Sequence, residues 1–167
     1  GGALFTAFFI SFLLGPKLIK ILKKIQKEGQ PIRKDGPKSH LISKVGTPTM
    51  GGMLILISLF FSIILWGDLS SNLFWLVFSI TILFGLIWAC DDYKKLKSNS
   101  PEGINSSARL ILEFTISFIF IFMLNSTINQ DLINVVYIPF TKGFFIDLNI
   151  FYYFFGSLVI VGCANAV

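Results

Sequence analysis

The stretch LFWLVFSITILFGLIWAC, from Leu73 to Cys90, contains no charged side chain. An α-helix needs about 20 consecutive apolar residues to cross the hydrocarbon core of a bilayer. The stretch therefore predicts a transmembrane helix. It is followed at once by two acidic residues, Asp91 and Asp92, which mark the predicted end of that helix.

Similar apolar runs occupy most of the remaining chain. Of its 167 residues, 54% are hydrophobic and 14% charged, with a mean hydropathy of +0.76, whereas about one quarter of a soluble domain is charged. We predict an all-α fold, a polytopic membrane helical bundle that forms a single transmembrane domain over residues 1–167. The predicted spans cover residues 3–25, 49–66, 73–90, 108–125 and 150–167.

Two polar loops, residues 26–48 and 91–107, hold nearly all of the lysines and arginines outside the spans. Five spans place these loops on one face, and the positive-inside rule makes that face cytoplasmic. The net charge of +5 then reflects topology and attraction to membrane lipid, and gives no reason to expect nucleic acid. Residues 135–147, on the opposite side, carry short apolar segments around a Pro- and Gly-containing turn, which predicts a small β-hairpin.

The two ends and the two cysteines give further expectations. The chain begins at Gly1 and stops at Val167 inside an apolar run, so we expect it to be an internal piece of a longer protein. Cys90 and Cys163 lie in apolar runs, and we expect buried, unpaired thiols rather than a disulfide framework.

The strongest candidate for chemistry is the acidic pair Asp91 and Asp92. Carboxylates are costly near hydrocarbon, the C-terminal end of a helix disfavours negative charge, and adjacent acids repel each other. A divalent cation or the neighbouring lysines would relieve all three penalties, and paired aspartates with Mg²⁺ commonly hold phosphates. The alternative is that both acids simply end the helix in water.

A second candidate is the basic, glycine-bearing segment that precedes the second span. Gly46, Gly51 and Gly52 allow close approach of a ligand to the backbone, and a helix beginning near Thr49 would offer free N–H groups to an anion. Together with Lys44 this would form a phosphate cradle. The alternative is a basic turn with Thr49 as a helix N-cap.

Two single residues leave both interpretations open. His40 has side-chain chemistry suited to a general base, but a loop histidine is more often merely solvated. Glu113 lies four residues after Arg109, a spacing that permits an ion pair within one helix and favours a structural role.

Three motifs together resemble the phospho-N-acetylmuramoyl-pentapeptide transferase family. The first includes the residues from Gly29 to Arg33 and the highly specific Gly46-Thr47-Pro48-Thr49-Met50-Gly51-Gly52. The second is Asp91-Asp92-Tyr93 with Lys95, and the third begins at Asn165-Ala166-Val167. The resemblance follows the whole chain in order, with matching topology.

The resemblance implies a reaction in which phospho-MurNAc-pentapeptide moves from its UDP carrier to undecaprenyl phosphate, giving lipid I and UMP. It also implies Mg²⁺ as the cofactor, an active site on the cytoplasmic side of the bacterial inner membrane, and a possible homodimer. Peptidoglycan synthesis would be the process served.

The resemblance also implies roles for individual residues. Asp91 is the candidate base toward the lipid phosphate, or the nucleophile of a two-step reaction, and Asp92 helps to place the metal or the diphosphate, so that both are candidate metal ligands. Substrate contacts are expected from Lys44, Thr49, Lys95, Arg109, Asn165 and His40. His40 lies in the first motif, and its step in the reaction is left open.

Two departures from the family pattern stand out. Arg109 occupies a position where the family usually has lysine, which replaces a point-like ammonium by a planar fork. The chain also stops before the continuation of the third motif, so we expect this piece alone to be unable to turn over.

Other classes of function stay open at this point. A transporter or channel segment would place ionisable groups near mid-membrane, whereas here they cluster at one face. A non-catalytic anchor leaves the acidic pair unexplained. A related transferase acting on another sugar phosphate shares the same chemistry.

Overall fold

The computed structural model describes residues 1–26, 50–98, 100, 102–128, 134–138, 140 and 143–166. In these residues the chain forms α1 (Gly2–Ile25), α2 (Gly52–Trp66), α3 (Asn72–Ser98), α4 (Ser106–Thr127), β1 (Val135–Tyr137), β2 (Phe145–Asp147) and α5 (Phe151–Asn165). The predicted polytopic helical bundle with a small β-hairpin is confirmed.

Three of the helices, α1, α3 and α4, are long and apolar enough to cross a membrane. The other two, α2 and α5, have 15 residues each, which at 1.5 Å per residue gives about 22 Å, less than the roughly 30 Å of hydrocarbon. The apolar helices make this a multi-pass membrane protein. The bounds of all five predicted spans within a membrane stay predictions, and residues 49 and 167 lie outside the described part.

Helix α3 continues well beyond its predicted end at Cys90 and stops only at Ser98. Asp91 and Asp92 therefore lie inside the helix, and the penalty expected for acids at a helix C-terminus does not apply to them. The last turn carries Lys95 and Lys97 instead, which suits the negative end of the helix dipole. Lysine and leucine are good helix formers, so the polar residues after the acidic pair prolong the helix.

The chain divides into two compact units, Gly1–Leu69 with Phe84–Asn105, and Ser70–Leu83 with Ser106–Val167. In the first unit α1 packs against α2. The hydroxyls of Ser11 and Ser58 share a hydrogen bond of 2.8 Å between these helices, and the indole N–H of Trp66 donates to Thr6 Oγ1 at 3.0 Å. Small residues with hydroxyls let membrane helices approach closely.

In the second unit α4 packs against α5 along a seam with a four-residue period. The buried side chains of α4 are Glu113, Ser117 and Ile121, and those of α5 are Ser157 and Val161. Residues four apart lie on one face of a helix, so each helix buries a single stripe. We call these two stripes the α4–α5 seam.

The far end of the α4–α5 seam is closed by neutral polar groups. The Asn125 side-chain amide donates to Tyr153 Oη and to Asn134 Oδ1, both at 2.9 Å. Asn134 leads into the hairpin with a left-handed φ of 62°, a conformation that asparagine tolerates better than most residues. The hairpin is thereby tied to both helices.

The predicted hairpin within residues 135–147 has antiparallel strands. Val135 pairs with Asp147, Val136 with Ile146 and Tyr137 with Phe145. The rings of Tyr137 and Phe145 lie 5.8 Å apart, a cross-strand aromatic contact of the kind that stabilises short hairpins.

The expectation of buried cysteines is wrong. Cys90 and Cys163 are both free and exposed on the protein surface. In a membrane helix the outer surface is itself apolar, so a small apolar side chain suits it as well as a protein core does, and sequence patterning alone does not separate the two locations.

Gly156 provides a test of the α4–α5 seam. A Cβ at Gly156 would lie 2.7 Å from Ile121 Cδ1, whereas a Cβ at Gly162 on the same helix meets no atom within 4 Å. We expect Gly156→Leu to destabilise the intact protein by about 1–3 kcal/mol through overpacking. Chemical unfolding in detergent measures this, with Gly162→Leu as the matched control. Equal effects of the two substitutions would contradict the packing described.

Candidate active site

Asp91 is almost fully buried, with 1% of its surface exposed. Its Oδ1 accepts the backbone N–H of Ile104 at 2.7 Å, and its Oδ2 lies 2.5 Å from Lys95 Nζ, one helical turn further along α3. A buried carboxylate is tolerated when it is both paired and hydrogen-bonded. Both oxygens of Asp91 thus have a specific partner.

Gly103 explains how the segment after α3 reaches this carboxylate. A Cβ added at Gly103 would overlap the Asp91 carboxylate, with the Cγ only 2.7 Å away. Only glycine permits such an approach of the backbone. Gly103 and Ile104 are therefore folded onto the side of α3 and held there by Asp91.

Asp92 has a different environment from its neighbour, because consecutive residues of an α-helix point about 100° apart. Its side chain is 27% exposed, and its Oδ1 lies 3.5 Å from Lys95 Nζ. It also lines a cavity of about 270 Å³ whose other walls are apolar or glycine. These walls are Met50, Gly52, Met53, Ile55, Leu56, Gly85, Trp88 and Ala89.

The same cavity contains the end of the first motif. Met50 and Gly52 line it together with Asp92, so the described end of this motif and the acidic pair meet within one unit. Met50 has a left-handed φ of 70°, which costs a non-glycine residue on the order of 1 kcal/mol. Strain of this kind occurs often at functional sites. Lys44, Thr49 and His40 lie outside the described residues, and their predicted roles stay predictions.

Lys95 joins the predicted pair into one cluster, since its ammonium is within 4.0 Å of both carboxylates. Two acids and one lysine leave a formal charge of −1, which favours a cation nearby. Among the described residues, no group of three or more His, Cys, Asp or Glu side chains could hold a metal ion. Mg²⁺ commonly binds through one or two carboxylates and completes its shell with water and phosphate oxygens. The pair fits that pattern, with Asp92 as the more accessible ligand.

A second polar cluster lies at the near end of the α4–α5 seam. Arg109 Nη2 donates to Asn165 Oδ1 at 3.5 Å, and Arg109 Nε lies 3.9 Å from Glu113 Oε1. The Asn165 side-chain amide donates to Glu113 Oε2 at 2.5 Å and to the Val161 carbonyl at 3.0 Å. The predicted Arg109–Glu113 ion pair is confirmed, and two predicted substrate contacts, Arg109 and Asn165, are neighbours.

Glu113 is the member of this cluster that sequence reasoning left out of the site. It is 0% exposed and makes the shortest contact to Asn165. The available signal was its presence inside an apolar span, where a carboxylate is costly and often functional. Its contact with α5 could not be read from spacing along α4.

The chain is 42% identical over all of its residues to the phospho-N-acetylmuramoyl-pentapeptide-transferase of Rickettsia bellii. It is 42% identical to that of Gluconacetobacter diazotrophicus and 44% identical to that of Gluconobacter oxydans, again over all of its residues. The family resemblance is thereby confirmed. The chain spans 46% of the length of each of these transferases. No family model matches it.

The match to these transferases covers the whole of the chain. It therefore includes the first motif, the acidic pair with Lys95, and the cluster formed by Arg109, Glu113 and Asn165.

Gly103 gives a direct test of the contact with Asp91. We expect Gly103→Ala to push the carboxylate away from Ile104 and to destabilise the intact protein by about 1–3 kcal/mol, since a hydrogen bond to a buried charged group is lost. Gly51→Ala is the control, because a Cβ at Gly51 meets no atom within 4 Å and its φ of −59° is helical. Thermal unfolding of both variants measures the difference. A Gly103→Ala variant as stable as the wild type would contradict the close contact between this segment and the Asp91 carboxylate.

Proposed function

We propose that the intact protein transfers phospho-MurNAc-pentapeptide from UDP-MurNAc-pentapeptide to undecaprenyl phosphate, giving lipid I and UMP. The observation that carries the proposal is the shared cavity of Asp92, Met50 and Gly52, in a chain 42–44% identical to transferases of that name. Those names favour this substrate over another sugar phosphate, and favour an enzyme over a transporter segment or an anchor.

The reaction is a phosphoryl transfer. An oxygen of the lipid phosphate forms a bond to the phosphorus that carries the sugar, and the bond from that phosphorus to the oxygen of UMP breaks. Catalysis of such transfers consists largely of positioning and of neutralising the charge on the phosphoryl oxygens. Acidic and basic groups at one site suit this task.

Mg²⁺ is the proposed cofactor, and when bound it would neutralise charge on the diphosphate. Asp92 would supply the accessible carboxylate for it. Asp91, with one oxygen fixed on Ile104 and the other on Lys95, would join it only after Lys95 turns away.

Lys95 would connect two states of this cluster, one in which it pairs with the two carboxylates and one in which it contacts the diphosphate. Its ammonium contacts Asp91 and Asp92, and its flexible four-carbon stem lets it turn toward a diphosphate instead. That movement would release Asp91 Oδ2 for its proposed role as the base toward the lipid phosphate, while Oδ1 stays on Ile104.

The remaining site residues enter the proposal through the family resemblance. Lys44, Thr49, Arg109 and Asn165 would contact the nucleotide or the diphosphate, and His40 has no assigned step. The same resemblance, with the basic residues of the predicted cytoplasmic loops, supports a site on the cytoplasmic side of the bacterial inner membrane and a possible homodimer.

The proposal predicts that the intact protein forms lipid I from UDP-MurNAc-pentapeptide and undecaprenyl phosphate only when Mg²⁺ is present. Asp91→Asn should lower the rate by roughly 10²-fold or more, because a base and an electrostatic group are lost together. Chromatography of a radiolabelled lipid product measures this. A product formed from UDP-GlcNAc instead would contradict the proposed substrate, and an unchanged rate in Asp91→Asn would remove Asp91 from the mechanism.

The proposed division of labour between the two acids predicts a distinct effect for Asp92→Asn. We expect the Mg²⁺ concentration that gives half-maximal rate to rise about tenfold or more, since an accessible ligand is lost. Asp68→Asn is the control, because Asp68 is an exposed acid in the connection between α2 and α3. A Mg²⁺ requirement that is the same in both variants would exclude Asp92 as a ligand.

A further inference from the structure

Glu113 is a buried carboxylate to which the proposed reaction assigns no part. It has no exposed surface, and it lies in α4, one of the helices long and apolar enough to cross a membrane. An ionisable group in such a helix is costly and usually faces a specific partner. Glu113 has two partners, Arg109 on its own helix and Asn165 on α5.

The contacts of Glu113 fix the direction of the Asn165 amide. A carboxylate only accepts hydrogen bonds and a guanidinium only donates them, whereas an amide presents one group of each kind. With Glu113 on one side and Arg109 on the other, only one orientation satisfies both. The amide nitrogen of Asn165 points to Glu113 and to the Val161 carbonyl, and its oxygen points to Arg109.

Holding two helices together does not require a charge at this place. At the far end of the α4–α5 seam the same two helices are joined by neutral groups, where the Asn125 amide donates to Tyr153 Oη. Buried ion pairs are seldom more stabilising than neutral or apolar replacements of similar size. The charge of Glu113 therefore calls for a reason beyond helix packing.

We propose that Glu113 is a positioning residue that sets the directions in which Arg109 and Asn165 meet the diphosphate of the nucleotide-linked substrate. It anchors the guanidinium of Arg109 by charge and the amide of Asn165 by a hydrogen bond. This inference rests on the proposed function, because that function makes Arg109 and Asn165 substrate contacts.

The test is a kinetic comparison in the intact protein. Glu113→Gln keeps the shape of the side chain and removes its charge, so we expect the KM for UDP-MurNAc-pentapeptide to rise about tenfold or more through misplaced binding groups. We expect kcat to change much less, because the proposed base Asp91 and the proposed metal ligand Asp92 are left in place by this substitution. Ser117→Ala is the matched control, since Ser117 is buried one turn further along the same stripe, and its KM should equal that of the wild type.

A double variant tests whether the effect of Glu113→Gln on the KM is exerted through Arg109 or is independent of it. If Glu113 acts in part through Arg109, Glu113→Gln should raise the KM by a clearly smaller factor in the Arg109→Gln background than in the wild type. Multiplying effects of the two substitutions on KM would overturn the inference.

Loss of one partner of a buried ion pair can prevent folding, so a second variant covers that case. Glu113→Asp keeps the charge but shortens the side chain by one methylene, which should break the hydrogen bond to Asn165 and raise the KM. A wild-type KM in Glu113→Asp, or in a folded Glu113→Gln, would overturn the inference alone. A wild-type protein without transferase activity would overturn the proposed function and this inference with it.

Discussion

A carboxylate buried in an apolar helical bundle has to be neutralised, and the arrangement of the candidate site follows from how Asp91 meets this requirement. Lys95 neutralises Asp91 from one turn further along α3, which is possible only because the helix continues past the acidic pair. The N–H of Ile104 completes the set of partners and holds the following segment against the helix, where Gly103 leaves room for it. Asp92, turned away by the helical repeat, is left beside the cavity.

The second unit applies the same solution to Glu113. Each buried carboxylate has a cation four residues away on its own helix, Lys95 after Asp91 and Arg109 before Glu113. Each also accepts an N–H from another segment, from the backbone of Ile104 or from the side chain of Asn165. The ion pair lies within one helix and neutralises the carboxylate. The hydrogen bond comes from a different segment and fixes the position of that segment. Buried charge thus links the packing of each unit to the placement of its polar residues.

Local patterns predicted the local features. Apolar runs predicted the five helices, short apolar segments around a turn predicted the hairpin, and the spacing of Arg109 and Glu113 predicted their ion pair. The end of α3 was misplaced because an acidic pair after an apolar run resembles a helix stop, although the lysines that follow favour helix. The burial of Asp91 depends on Gly103, and the role of Glu113 depends on Asn165. These partners are 12 and 52 residues away along the chain, and no periodicity reports such contacts.

The uninterrupted course of α3 has a consequence for depth. From Asp91 to Ser98 the helix rises about 1.5 Å per residue, so Asp92 lies within the first turn beyond the apolar stretch. Lys95 and Lys97 lie about 5 and 8 Å further out along the helix axis. Because the helix is continuous, the length of its apolar part sets the height of the acidic pair relative to the hydrocarbon boundary. For the proposed transfer, a polyprenyl carrier at that height would keep its chain among the acyl tails while its phosphate reaches the protein. The carrier would then not have to leave the bilayer to meet a water-soluble nucleotide.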